Sequence, residues 1–226
     1  MKNKEYFKKI EKDYQEASEY NDELYRNIGS ELDRILWGKV IDFGNGGVIN
    51  YSTDDLEKVI CVDIINQEQT LSSKKVDFIY GDFYAIDLND KANCVLAQLM
   101  LHHLVDTEKI KHSLRHVHSL LEEGGRFIIV EVEFPRFLER IQNIFKPVLF
   151  KLLSMMNKPS LRFFSRQSLE KLVTEAGFSI CTTRRISIGK RVSPAPVLFP
   201  KLKIPGKLYP FKCMLLETEI TSQERQ

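Results

Sequence analysis

Five short apolar runs follow one another through the middle of the chain with almost no polar alternation inside them. They are Val40-Ile41, Val59-Ile60-Cys61-Val62, Val76-Asp77-Phe78-Ile79, Cys94-Val95-Leu96-Ala97 and Phe127-Ile128-Ile129-Val130. A strand with one face in water alternates. Strands that are apolar on both faces belong to a parallel sheet covered by helices on either side. Parallel neighbours need crossover connections, and these are right-handed, so the runs predict a doubly wound α/β sheet. A chain of 226 residues fits one such unit.

Helical periods surround and separate these runs. Tyr6, Phe7, Ile10, Tyr14 and Ala17 recur at helical spacing, and Leu24, Tyr25, Ile28, Leu32, Ile35 and Leu36 do so after a break near Tyr20. Ile110, Leu114, Val117 and Leu121 predict a helix over 107–121 that stops at Gly124-Gly125. Ser165 reads as the N-cap of another, with Leu169, Leu172, Val173 and Ala176 on one face and Gly177 at its end. Two late strands are expected at about 180–188 and 211–218. The segments expected within a single domain over 1–226 are an N-terminal helical cap (1–38), a ligand-binding core (39–132), an apolar insertion (133–164), and a last helix and strand pair with a proline-rich loop (165–226).

Composition removes several classes. The net charge is +2, from 33 basic and 31 acidic residues, which is too small a field to gather nucleic acid. The first fourteen residues are charged throughout, and no run approaches a membrane span, so a cytoplasmic protein is expected. Cys61, Cys94, Cys181 and Cys213 lie in strand-like runs at spacings that match no zinc site, and read as buried free thiols. His112 and His116 stand one turn apart without a third ligand, and read as a polar helix face with no metal.

The best local signal is Val40-Ile41-Asp42-Phe43-Gly44-Asn45-Gly46-Gly47. A buried strand ends in a carboxylate and enters a glycine-rich turn, where the backbone can approach a ligand. Alone, this fits an ordinary tight connection equally well. The next strand ends in Asp63, suited to a ribose diol, and the one after runs into Gly81-Asp82-Phe83, a carboxylate and an aromatic face for adenine. Each acidic residue also has a bland reading as a cap or turn residue. A nicotinamide dinucleotide fits poorly, because position 49 is Ile49 where a third glycine is needed and Asp42 repels a pyrophosphate.

With these residues the chain resembles the class I S-adenosylmethionine-dependent methyltransferases, from about Val40 to Val130 and more loosely to the C-terminus. The resemblance implies a Rossmann-like, mostly parallel seven-stranded sheet with N-terminal helices and a helical lid insertion. It implies S-adenosylmethionine as cofactor, with S-adenosylhomocysteine as product, held by Asp42, Gly44, Asn45, Gly46, Asp63, Ile64, Asp82, Phe83 and Gln98. Residues 93–103, ending Met-Leu-His-His, are similar to the fourth strand and its exit, and 121–130 to the run into the fifth. Two departures stand out. The stretch 49–56 is a poor helix sequence, so the first crossover helix is expected to be short or a loop. Between Asp63 and Val76 there is little room for a full second one.

Methyl transfer needs alignment and exclusion of water, and a base only where the acceptor carries a proton to be lost. His102 and His103, after the fourth strand, fit that role or plain packing. In related enzymes a histidine at the place of His103 pairs with a tyrosine of the N-terminal helix, for which Tyr14, Tyr20 and Tyr25 are available, and Tyr20 is placed with the histidines as catalytic. The insertion is dense in Phe134, Phe137, Leu138, Ile141, Ile144, Phe145, Val148, Leu149, Phe150, Leu152, Leu153, Met155 and Met156, and its broad helical periodicity implies apolar contact on more than one side. It fits either a lid over an apolar acceptor or extra core, and Arg136, Arg140, Lys146 and Lys151 give it a basic edge. The 193–211 loop, with five prolines and basic flanks, fits a substrate cover, a homodimer contact or peripheral membrane contact. Methylation of an O, N or C atom of a small, largely apolar or lipid-like acceptor is the leading expectation. A nucleic-acid or protein methyltransferase, or a non-catalytic binding module, is the alternative.

Overall fold

The computed structural model describes residues 22–46, 49–64, 74–82, 86, 88, 90–155, 160–192, 202–209 and 211–221. The strands are β1 (Lys39–Phe43), β2 (Lys58–Asp63), β3 (Val76–Tyr80), β4 (Ala92–Gln98), β5 (Leu121–Glu133), β6 (Phe178–Ile186), β7 (Arg191–Val192), β8 (Ile204–Pro205) and β9 (Lys212–Ile220). The helices are α1 (Asp22–Leu32), α2 (Thr107–Leu120), α3 (Arg136–Met155) and α4 (Arg166–Glu175). The main sheet has seven strands in the order β3-β2-β1-β4-β5-β9-β6, and β7 and β8 form a separate antiparallel ribbon. Pairing is parallel from β3 to β5, and β9 runs antiparallel between β5 and β6. The five apolar runs are therefore the five parallel strands. The first amphipathic stretch, with Tyr14 and Tyr20, lies outside the described residues, as do Phe83 and most of the proline-rich loop.

Burial on both faces explains the missing alternation. Ile41, Val95, Phe127 and Ile129 pack beneath Ile110, Leu114 and Val117 of α2 and Leu169 and Val173 of α4. Val40, Leu96, Ile128 and Val130 face the other way, against Ile28 and Leu32 of α1. Each such side chain, fully removed from water, contributes about 1.5–3 kcal/mol before the entropy of ordering it is counted. No helix follows β1 among the described residues. Instead the chain from Ile49 to Glu57 lies over α1, with Asn50 donating to Tyr25 O (2.9 Å) and Ser52 N to Asp33 (2.6 Å), and it buries Tyr51 and Leu56.

Three local expectations are corrected. Asp106 caps α2 by accepting from Glu108 N and Lys109 N, but the helix ends at Leu120 and Leu121 already pairs with Ala92. Gly124 and Gly125 therefore belong to the strand. A Cβ at Gly125 would lie 3.2 Å from Ala92 O and 3.1 Å from Asn93 O, so the glycine admits close backbone approach and does not close the helix. Cys181 is exposed on β6, next to the open edge of the sheet, while Cys61, Cys94 and Cys213 are buried, all four as free thiols. The expectation of extra core in the insertion fails for its main stripe: α3 buries Glu139 and Gln142 and leaves Phe137, Ile141, Ile144, Val148, Leu152 and Met155 exposed. Ser165 does cap α4, accepting from Ser168 N, and Gly177 follows it with φ 91°.

Candidate active site

Chain order and sheet order part company between β1 and β4. From β1 the chain moves outward to β2 and β3, then returns to the other side of β1 as β4. Connections diverge there and leave a crevice at the carboxyl ends of the two strands. Asp42 to Gly46 leave β1 at that point, and Gln98 to His103 leave β4 beside them.

The glycine turn is clamped from two sides. Gly44 N donates to Val62 O (2.9 Å) and Gly46 N to Asp63 Oδ2 (2.8 Å). Gly44 has φ 69°, and a Cβ on it would fall 2.8 Å from the Met100 Cβ, so only glycine lets the exits of β1 and β4 press together. Asp42 is 1% exposed. Its Oδ2 accepts from the Tyr51 hydroxyl (2.9 Å) and from Asn45 Nδ2 (3.5 Å), while Oδ1 is buried with no hydrogen-bond partner among the described residues. Burial, aided by the nearby Asp63 charge, pushes its pKa up to about 7 in spite of those hydrogen bonds. A buried carboxylate with an oxygen left over is suited to a cationic donor.

The exit of β4 has the same character. Gln98 is buried, and its Oε1 has no hydrogen-bond partner among the described residues. Leu99 holds φ 49°, a left-handed conformation that a branched-chain residue rarely adopts, with its N–H tied to Val130 O at 2.7 Å. That bend lets Leu101–His103 form a single tight turn over the crevice. Asp63 is buried at the end of β2, with Ile64 half-buried behind it; Asp82 is half-buried after β3. The structure thus brings Asp42, Gly44, Asn45, Gly46, Asp63 and Gln98 to one edge.

The two histidines are unlike. His102 Nδ1 lies 2.7 Å from Glu131 Oε1, and Glu131 is fully buried in β5. The same carboxylate accepts from the backbone N–H groups of His102 (3.1 Å) and Val132 (2.8 Å). An acceptor so used puts the imidazole proton on Nδ1 and leaves the Nε2 lone pair. The backbone of His102 is held from the far side by Arg162 N, which donates to its carbonyl at 2.7 Å. His103 packs against the His102 ring (4.0 Å between centroids) and is half-buried; its desolvation, aided by the neighbouring His102, holds its imidazole well below its ordinary pKa and therefore neutral. Tyr25 is half-buried on α1.

Two residues of this arrangement escape periodicity analysis. Tyr51 sits in a loop without pattern, and only the fold brings it to Asp42. Glu131 had a signal: an acid inside the apolar run Ile128-Ile129-Val130-Glu131-Val132 is costly to bury unless something pairs with it.

Beyond His102, aromatic rings gather. Phe134 stacks on Phe163 (4.1 Å) and meets Phe211 (4.3 Å), which in turn meets Tyr209 (5.1 Å). Phe163 follows Arg162, so this apolar wall adjoins the backbone that holds His102. Burial pushes the Tyr209 phenol up to about 12, keeping it neutral.

Residues 7–183 match the family model described as "Methyltransferase domain". No protein of curated function matches the sequence. Among solved structures, a chain of the complex between the Haloferax volcanii Trm112 methyltransferase activator and a methyltransferase superposes with TM-score 0.67 at 15% identity, covering 93% of this chain and 96% of that one. A 1,6-didemethyltoxoflavin-N1-methyltransferase from Burkholderia thailandensis, with 1,6-didemethyltoxoflavin and S-adenosylhomocysteine bound, gives 0.63 at 16% identity, covering 94% and 88%. The N-methyltransferase NodS from Bradyrhizobium japonicum WM9, in complex with S-adenosylhomocysteine, gives 0.57 at 9% identity, covering 90% and 86%.

Proposed function

Because this chain belongs to the methyltransferase-domain family and has the fold of its S-adenosylmethionine-dependent members, we propose that it transfers a methyl group from S-adenosylmethionine to an O, N or C atom of a small, largely apolar metabolite or lipid-like acceptor. One observation carries the cofactor half: two buried oxygens, Asp42 Oδ1 and Gln98 Oε1, lack hydrogen-bond partners among the described residues at the crevice where β1 and β4 diverge. A ligand with an ammonium group and no phosphate supplies the donors they need.

S-adenosylmethionine, when bound, supplies a methyl group on a sulfonium that is already a good leaving group. Asp42 and Gln98 bind its amino-acid end, the 44–46 turn gives backbone approach, and Asp63 takes the ribose diol while holding Gly46 in place. Asp82 and Phe83 belong to the adenine side. His102 orients the acceptor and receives its proton at Nε2, with Glu131 fixing the ring through Nδ1. His103 stays neutral beneath it and supports the ring. The aromatic wall of Phe134, Phe163 and Phe211 excludes water and favours an apolar acceptor. A near-neutral net charge supports a small acceptor over nucleic acid. Four free thiols suit a reducing compartment, the cytoplasm.

Calorimetry tests the cofactor assignment. S-adenosylmethionine and S-adenosylhomocysteine should both bind, and NAD should not; tight NAD binding with no response to S-adenosylhomocysteine would refute the assignment. Asp63→Ala should weaken S-adenosylhomocysteine binding by about 1.5–3 kcal/mol, the cost of losing a charged acceptor of hydroxyl hydrogen bonds. An affinity equal to the parent's would place the ribose elsewhere.

A further inference from the structure

Apart from Trp37 and Tyr80, every exposed large hydrophobic residue among those described lies on α3 or on residues 202–208. On α3 the positions 137, 141, 144, 148, 152 and 155 advance by three or four, so they form one stripe, and Ile144 and Met155 are 72% and 73% exposed. The helix is docked by its polar side. Glu139 accepts from Ser165 N (3.2 Å), and Gln142 donates to Leu161 O (2.8 Å) and accepts from Phe163 N (2.6 Å). A helix that spends its polar residues on its own domain and turns its apolar stripe outward is built to meet something apolar.

The charges identify what. Arg136, Arg140 and Lys151 are exposed along one flank of the stripe, and Glu139, the one acidic residue of α3, faces inward. The second segment repeats this chemistry, with Leu202 and Leu208 exposed beside the exposed Lys203 and Lys207. Tyr209 and Phe211 tie it to Phe134, two residues before α3, so both segments adjoin the same corner of the domain. A second copy of α3 would offer no exposed acid to these cations. No helix among the described residues is long and apolar enough to cross a membrane. An apolar stripe flanked only by cations matches the interfacial layer of an anionic bilayer, where alkyl groups enter the acyl boundary and cations meet lipid phosphates.

We propose that α3 and the 202–208 segment seat the protein on an anionic lipid surface. This contact is independent of the methyl-transfer assignment, because seating requires no turnover and no cofactor. The full chain is sedimented with vesicles of phosphatidylcholine alone or of phosphatidylcholine mixed with phosphatidylglycerol. Binding to the mixed vesicles should be at least about tenfold tighter, and added salt should weaken it. The double variant Ile144→Asp, Val148→Asp should lose sedimentation, and Arg136→Glu, Arg140→Glu should reduce it to the level of phosphatidylcholine alone. Both sets of side chains face solvent, so the melting temperature and S-adenosylhomocysteine affinity should match the parent's. No binding to mixed vesicles at low salt would overturn the proposal, as would binding that both variants retain. A dimer in sedimentation velocity that Ile144→Asp dissociates, without lipid binding by the parent, would assign the face to a second copy instead.

Discussion

His102→Ala is expected to lower turnover by about 10²- to 10⁴-fold for an acceptor that must lose a proton, with S-adenosylhomocysteine affinity within about threefold of the parent's. The expectation follows from the proposed placement of the acceptor beside this ring, whose Nδ1 is committed to Glu131 at 2.7 Å. Glu131→Gln should approach the same loss while keeping side-chain volume. A neutral amide can donate to Nδ1, which moves the proton to Nε2 and removes the lone pair that receives the acceptor's proton. His103→Ala should act differently, lowering the melting temperature through lost packing against the His102 ring more than it lowers turnover. Full turnover of His102→Ala on a hydroxyl or ammonium acceptor, with loss in His103→Ala, would return the role to the neighbouring ring. A small loss would mark an acceptor that is already deprotonated.

Asp42→Asn should separate binding from stability. Removing one partner of a buried charge pair costs roughly 2–5 kcal/mol, so affinity for S-adenosylmethionine should fall by at least about 30-fold. Stability should move the other way. With its pKa at about 7 against an ordinary 3.8, Asp42 makes the fold bind more protons than the unfolded chain between those values. Its contribution is therefore fully present below pH 3.8 and is lost as pH rises to about 7, by at most on the order of 4 kcal/mol. Above pH 7 the asparagine variant, which has no carboxylate to ionise, should melt at a higher temperature than the parent. In the parent, cofactor affinity should rise between pH 6 and pH 8 as Asp42 ionises. A flat profile there, or an asparagine variant with parental affinity, would show that Asp42 supports the turn without meeting the cofactor.

The pattern of the chain was enough to place the parallel strands, because a strand buried on both faces has to be apolar at consecutive positions, and Val40-Ile41 through Phe127-Val130 are. Asp42, Gly44, Gly46 and Asp63 were legible as a group because strand ends in a doubly wound sheet converge on one edge whatever the intervening loops do. Boundaries were less legible where a residue has two uses. Gly124-Gly125 has the look of a helix stop, and it is the close approach of Ala92 and Asn93 that makes it part of β5.

Partnerships across the fold were not written locally. Tyr51 reaches Asp42 from a loop that replaces a helix, and Glu131 reaches His102 across 29 positions, so only the assembled sheet shows which histidine meets the carboxylate. The insertion makes the point most sharply. Its sequence defines a helix with a broad apolar arc, since periodicity alone sets which residues share a face. Which face turns inward depends on what the helix lands on. Here the backbone at Leu161, Phe163 and Ser165 offers hydrogen-bonding groups that Glu139 and Gln142 satisfy, so the polar side of the helix is the side that docks.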